Sequence, residues 1–265
     1  MCGHKVSATI YFYIGWNMRP ERKFFLDKRV RKAMTYALDR KSFVEKAGYG
    51  LAIISTGPFL FKSWAYNPRI DPWPFDLDKA AELLHLAGWV DQDGDGILDR
   101  AGLKFKFELL LPSGAPTFVQ LASIIQANLK NLSIEVIIRV LDWSVYLDKT
   151  HRGEFDACLG GWLMGIDPDP YSMWHSSQIG AGNNDIGYVN EEVDRLLIAG
   201  RSEFERQKRQ KIYWKIHKII HEEQPCTFIY TKMETYILSK RIQNYEISPF
   251  GLFDFFPGQL AWSFE

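Results

Sequence analysis

The stretch that decides the fold is residues 155–178, FDACLGGWLMGIDPDPYSMWHSSQ. Its apolar run, Ala157-Cys158-Leu159, predicts a buried strand. Gly160 and Gly161 follow, removing side-chain bulk where a backbone or a ligand must come close. Trp162 then leads into Asp167-Pro168-Asp169-Pro170. Each proline biases the aspartate before it away from the helical region, which predicts a stiff loop after a strand. A strand ending in a tryptophan and a carboxylate turn suits the holding of a small polar ligand. No nucleophile paired with a base is visible in it.

Working outward, residues 104–111 (KFKFELLL) alternate and then run apolar, and 134–141 (IEVIIRVL) are β-branched; both predict strands. Between them, residues 116–129 place Phe118, Leu121, Ile124, Ile125 and Leu129 on one helical face. Asp142 is placed to cap a helix running to Thr150. Strand–helix–strand–helix–strand at these lengths predicts an α/β fold of βαβ units, with a mixed, mainly parallel sheet flanked by helices. Ligands of such sheets gather outside the carboxyl ends of the strands, where Trp162 and Asp167 lie.

Upstream, residues 8–16 (ATIYFYIGW) read as a strand. Asp27 caps a helix carrying Val30, Met34 and Ala37, and Asp39 caps a second short helix that Gly48 closes. Residues 55–74 form a long proline-broken loop, and Asp76 caps a helix over 79–86 that ends at Gly88. Downstream, 176–187 is a glycine-rich loop and Asn190 caps a helix over 191–199. A long helix over 203–222 turns Ile212, Trp214, Ile216, Ile219 and Ile220 to the core. His217 and His221 lie four apart on it; with no third ligand nearby, they read as a solvated helix end rather than a metal pair. Residues 227–230 and 235–238 predict two strands, and 242–265 is aromatic and extended.

The chain has 265 residues, 46% of them hydrophobic, enough for a sizeable core in one large domain or two small ones. Lysine plus arginine (32) equals aspartate plus glutamate (32), which argues against nucleic acid or an anionic membrane as partner. No apolar run reaches the ~18 residues of a membrane span. The start, MCGHK, carries no charged-then-apolar leader, leaving either a cytoplasmic protein or a chain that begins inside a longer one. Cys2, Cys158 and Cys226 make no disulfide framework, and the last two read as small buried hydrophobes. Without CxxC, HExxH or clustered histidines, no transition metal and no cofactor is expected. Asp91, Asp93 and Asp95, with Gly96 next and Asp99 beyond, match the first half of a calcium loop, but Gly102 stands where the closing acid belongs. The two readings are a weak calcium loop and a polar hairpin turn, with the turn preferred.

Several segments together carry a family resemblance. They are DKRVRKAMTYALDRKSFVEK (27–46), GYG-(x)5-TGP-F-(x)4-WAYNP (48–68), DLDKAAELLHLAGWVDQDGDGI (76–97), GWLMGIDPDPYSMWHSSQ (161–178) and GYVNEEVDRLL (187–197). In this order and spacing the chain resembles the extracytoplasmic solute-binding proteins of the peptide, nickel and oligosaccharide class, which feed ABC importers. The resemblance implies a two-lobed, hinged protein with a periplasmic-binding-protein-like (type II) fold, about twice this length and led by a signal peptide. On that basis residues 26–222 are expected to be the second, ligand-binding lobe. Residues 1–25 would be a hinge strand and entry segment, and 223–265 a hinge return whose strands complete the other lobe. A periplasmic or extracytoplasmic monomer is implied, with a short peptide as ligand, ABC permease subunits as partners, and no nucleic acid.

In peptide binders of this class a carboxylate three positions after the matching tryptophan often clamps the ligand's α-amino group. Here that position is Gly165, and Asp167 is the candidate substitute. The expected ligand-binding set is Trp162, Met164, Gly165, Asp167, Asn183 and Asn184. Trp162 is either a cleft wall or core, Asn183 and Asn184 either ligand binders or loop scaffolding, and Asp169 is a helix cap. No catalytic residue is expected, because Asp167 and Asp169 on a stiff loop have no base, nucleophile or metal beside them. Alternatives are an oligosaccharide or metal chelate as ligand, and a sensing module without transport.

Overall fold

The computed structural model describes residues 2–47, 50–165, 167–248, 251 and 258–264. The β-branched and aromatic start forms one long strand, β1 (Cys2–Trp16). Asp27 accepts from the Arg29 N–H and begins α1 (Lys28–Tyr36), whose Val30, Ala33 and Met34 are buried. Asp39 caps α2 (Arg40–Ser42), which runs into a π-helical turn, Phe43–Ala47; Gly48, expected to close it, lies outside the described residues. Short β2 (Ala52–Ile54) precedes the proline-broken loop, and Asp76 caps α3 (Leu77–Leu86).

After the acidic turn, β3 (Asp99–Arg100) and β4 (Leu103–Lys104) make a small hairpin. The predicted alternation then follows: β5 (Lys106–Pro112), α4 (Pro116–Lys130), β6 (Glu135–Leu141), α5 (Trp143–Arg152) and β7 (Ala157–Leu163). Asp142 stands at the N-cap of α5 without a capping bond; its carboxylate accepts from Ser113 Oγ at 3.4 Å instead. One-turn α6 (Tyr171–Trp174) leads to α7 (Glu191–Ser202), which Asn190 caps, and to α8 (Arg206–Glu223). The two strands expected at 227–230 and 235–238 are one, β8 (Cys226–Leu238), because β1 is long enough to pair with the whole of it. β9 (Ile242–Gln243) and β10 (Ser263–Phe264) pair separately.

The main sheet is mixed, in the order β2-β8-β1-β7-β5-β6. β5 pairs in parallel with β6 and β7, whereas β1–β7, β1–β8 and β2–β8 are antiparallel. The parallel share is smaller than expected because helix-linked alternation reports only on the strands that helices connect. Both faces are covered. One core gathers Val30, Leu84, Leu121 and Ile125 of α1, α3 and α4; the other gathers Tyr146, Trp174, Leu197 and Ile216 of α5 to α8. The β5–β6 and β6–β7 crossovers run in opposite directions along the sheet, so crossovers of one hand put α4 and α5 on opposite faces. The crevice between them opens at the carboxyl ends of β5 and β7.

The loop after β2 is locked to α8, and here one expectation is corrected. His217 and His221 are buried, not a solvated helix end. The Asn67 N–H donates to His217 Nδ1 at 3.1 Å, so Nε2 carries the proton and donates to Thr56 Oγ1 at 3.0 Å. The Thr56 hydroxyl donates in turn to Tyr66 Oη at 2.9 Å. His221 Nδ1–H donates to the Thr56 carbonyl at 2.9 Å, and its ring stacks on Trp73 at 5.1 Å. Burial holds both imidazoles below their ordinary range, His217 at about 3. Only glycine fits at 57, since a Cβ there would lie 2.3 Å from the His217 ring. Arg40, buried among these groups, donates to the Phe228 carbonyl at 3.0 Å and to that of Trp73.

Cys158 and Cys226 are free and buried. They pair with Gly15 from its two sides. Two strand spacings, roughly 9–10 Å, therefore separate them, beyond the reach of a disulfide. Among the described residues no helix is long and apolar enough to cross a membrane.

Candidate functional site

A cavity of about 570 Å³ opens at the carboxyl ends of β5 and β7. Its floor is the end of β7, from Gly160 to Leu163, against Ile10, Phe12 and Tyr13 of β1. Pro112 ends β5 at its rim, Phe118 enters from the first turn of α4, and Trp143, Tyr146 and His151 enter from α5. Asn183, Asp185 and Ile186 of the glycine-rich loop close one side.

The glycine pair makes the room, as its place in the sequence suggests. A Cβ on Gly160 would meet the Tyr13 ring at 3.1 Å and Tyr146 Oη at 3.3 Å. One on Gly161 would meet Ile10 at 3.0 Å and the Phe12 ring at 3.1 Å. Aromatic rings therefore lie directly on the β7 backbone on both faces. Phe12 and Phe118 meet edge to face at 5.7 Å, and Trp143 stacks on Tyr146 at 5.9 Å. Tyr146 Oη donates to the Leu159 carbonyl at 3.1 Å. Burial raises Tyr13 and Tyr146 well above the phenol range and pushes the Cys158 thiol up to about 12. These groups stay protonated and are not activated as nucleophiles or bases.

Among the described lining residues, Asp185 is the single carboxylate. Its Oδ1 lies 2.9 Å from His151 Nδ1. Burial raises the Asp185 carboxyl, and His151 and Arg19 draw it back.

The structure sorts the six expected ligand residues. Trp162 is half-buried; it lines the cavity and packs on the core beneath. Asn183 also lines it, with its N–H donating to the Ser172 carbonyl at 2.9 Å. Met164 is corrected: it is buried among apolar side chains, and its N–H donates to the Thr9 carbonyl at 2.7 Å. Asn184 is corrected too, to scaffolding. Fully buried, it donates to the His175 and Tyr188 carbonyls at 3.1 and 2.8 Å and accepts from the Tyr188 N–H at 2.9 Å. Gly165 is exposed and does not line the cavity. Asp167 does not line it either; its side chain is 61% exposed and pairs with Arg209 of α8 at 2.8 Å. Asp169 accepts from the Tyr171 N–H at 3.1 Å, one residue before the Pro170 N-cap of α6, and pairs with Arg201 at 3.1 Å. The proline-stiffened turn aims both acids at helix arginines rather than at the crevice.

Residues that sequence reading missed are Asp185, His151, Trp143, Tyr146 and Phe118. A signal existed on α5, where Trp143, Tyr146 and Leu147, and Thr150 and His151 recur at helical spacing along one stripe. Asp185 follows directly on the asparagine pair.

The acidic turn holds itself together. Asp91, Asp93 and Asp99 bring one carboxylate oxygen each within 4.8 Å of one another, and Asp95 lies outside that group. Asp91 accepts from the N–H groups of Gly94 and Gly96 at 2.8 and 2.9 Å, and the mostly buried Asp99 accepts from that of Gln92 at 3.0 Å. Lys104 Nζ reaches Asp93 at 2.5 Å and Asp95 at 2.9 Å, supplying the positive charge a cation would bring. The segment is a turn closed by the Val90–Asp99 bridge, with Asp91, Asp93 and Asp99 facing one another in it.

Three comparisons bear on the site. The family model of bacterial extracellular solute-binding proteins, family 5 (middle region), matches residues 4–184. The chain is similar to the oligopeptide-binding protein AppA of Bacillus subtilis, 37% identical over 246 residues that cover 91% of this chain and 45% of that protein. The structure of AppA in complex with a nonapeptide superposes with a TM-score of 0.85 at 34% identity, over 100% of this chain and 52% of that one. Heme-binding protein A of Haemophilus influenzae is 28% identical over 251 residues, covering 93% of this chain and 43% of that protein. The oligopeptide-binding protein of Thermus thermophilus, complexed with a pentapeptide, superposes with a TM-score of 0.81 at 25% identity, over 94% and 46% of the two chains. The chain thus spans about half the length of the relatives it matches.

Proposed function

Because the chain belongs to the bacterial extracellular solute-binding proteins of family 5, we propose that it is a non-enzymatic, extracytoplasmic solute-binding lobe that takes a short peptide for ABC import. The observation that carries this reading is the aromatic cavity of about 570 Å³ at the carboxyl ends of β5 and β7. Its volume is in the range of small-ligand sites, and its walls offer apolar area with few fixed polar groups. A peptide held there presents side chains to Phe12, Phe118, Trp143 and Trp162. The complexes of AppA with a nonapeptide and of the Thermus protein with a pentapeptide support peptide as the ligand class.

Residues 26–222 act as the ligand lobe in this reading. The segments before and after them, β1 and β8, pair from Gly15↔Cys226 out to Cys2↔Leu238, with register shifts between Ser7 and Tyr11 and between Phe12 and Tyr13. We assign this paired ribbon to the hinge. Ligand contacts made only when the cleft is closed would shift the open–closed equilibrium by their differential affinity, and the permease would read the closed form.

Calorimetric titration with a pool of two- to five-residue peptides, followed by mass spectrometry, tests the reading. Saturable heat with intact peptides is expected. Cleaved peptides would overturn the binding reading, and absence of heat would overturn the peptide assignment.

A further inference from the structure

We propose that the outer face of α8 is a docking surface for an anionic phospholipid bilayer, carried by Lys208, Lys211, Lys215 and Lys218 with Phe204 at its end. This goes beyond the peptide reading: no residue of α8 lines the cavity, so the two can fail separately.

Between Glu205 and Glu222 the sequence holds six lysines and arginines and no acid. The chain's balance of 32 basic and 32 acidic residues is a sum, and it hides this local excess. α8 packs Tyr213, Ile216, His217 and Ile220 inward, which fixes what its other side presents. Lys208, Lys211, Lys215 and Lys218 recur there at spacings of three and four, all exposed, in one stripe roughly 15 Å long. Lys208 is tied to Glu205 at 2.6 Å, but among the described residues no carboxylate pairs with the other three. Arg69, over the Trp214 ring at 5.7 Å, and Arg206, over Trp64 at 5.6 Å, add charge where the 55–74 loop runs beside the helix.

Like charges at that spacing repel one another and weaken the helix that carries them. No described acid relieves Lys211, Lys215 and Lys218, so the anion that answers the row comes from outside. The character of the patch selects a bilayer. Lysines are compact point charges on flexible stems, suited to headgroups that move to meet them, whereas a fixed acidic surface is better matched by the bidentate fork of arginine. Arg209, in the same run, is turned away to Asp167 at 2.8 Å. Phe204, in the link between α7 and α8, is 96% exposed. A phenyl ring with no core to pack on, beside a basic helix face, suits the apolar boundary beneath anionic headgroups.

Sedimentation of the whole chain with vesicles tests the proposal, using phosphatidylcholine alone and an equal mixture of phosphatidylcholine and phosphatidylglycerol. Binding to the mixed vesicles alone is expected, and its loss in about 1 M salt, where charges are screened beyond about 3 Å. Lys211→Gln, Lys215→Gln and Lys218→Gln together should weaken it about 30- to 100-fold. Lys211→Arg, Lys215→Arg and Lys218→Arg together keep the charge and should bind like the parent, which separates lost charge from lost folding. Phe204→Ala should weaken binding about 5-fold. Equal binding to both kinds of vesicle, or mixed-vesicle binding that the glutamine variant retains, overturns the proposal. So does a chain that ignores both vesicles; if that chain binds poly-glutamate, the face serves an acidic protein instead. The vesicle comparison on the unmodified chain needs no variant to fold.

Discussion

The joint between the 55–74 loop and α8 and the cavity at the ends of β5 and β7 are built from the same kinds of residue. Each has aromatic rings, histidine and polar partners, yet the two differ in what is left unmatched. At the joint, both nitrogens of His217 are taken, by Asn67 and Thr56, and the Thr56 hydroxyl donates in turn to Tyr66 Oη. In the cavity, Asp185 holds His151 with one oxygen, and no described residue donates to the other. A closed set of buried hydrogen bonds fixes a structure, whereas an open one leaves a place for something from outside. Residue types alone do not distinguish the two cases.

Acid should break the joint first, and this is the largest effect expected. The folded chain protonates His217 only near pH 3, while the unfolded chain does so near the ordinary 6.5. Between those values the unfolded state binds more protons, so stability is full above pH 6.5 and is lost as pH falls. The slope should be about 1.4 kcal/mol per pH unit for this imidazole, and His221 adds to it in the same direction. Urea unfolding at pH 7, 6, 5 and 4 measures it. A flat profile, or one that His217→Gln leaves unchanged, would show that the imidazole is not held neutral.

A smaller effect comes from crowding the same place. Gly57→Ala sets a methyl 2.3 Å from the His217 ring and should cost about 2 kcal/mol in chemical denaturation, within the range for overpacked cores. Peptide affinity per folded molecule should stay unchanged, because the cavity lies elsewhere. A variant as stable as the parent would mean that the loop can move off α8.

The smallest effect is expected at the residue the sequence puts forward most strongly. Asp167→Asn removes an exposed ion pair with Arg209, worth about 0.5 kcal/mol or less, and should leave peptide binding as it was. Weakened binding of free-amine peptides by this variant would return the ligand clamp to the DPDP turn and close the contrast with Asp185.

Much of the scaffold was legible in the chain. Asp27, Asp39, Asp76 and Asn190 all cap the helices expected of them, and the three strands joined by α4 and α5 lie where period and composition place them. Capping and amphipathic periodicity are local, so the sequence records them directly. The site was less legible. Gly160 and Gly161 mark a place of close approach, because a glycine pair at a strand end has a backbone meaning of its own. Met164 and Asn184 were not distinguishable from ligand contacts, since the direction of a side chain after a strand ends depends on what packs against it.

What the sequence determined by itself is the strand–helix alternation from β5 to β7, most of the helix starts, and the family that these motifs share in register. Only the tertiary structure decided which acid belongs to the crevice. Asp167, Asp169 and Asp185 lie within 20 residues of one another, and nothing local ranks them. The arginines of α7 and α8, more than 30 residues on, take the first two, while the packing of the glycine-rich loop against α5 turns the third inward. Charge matching is set by distance through space, and a sequence specifies those distances only through the whole fold.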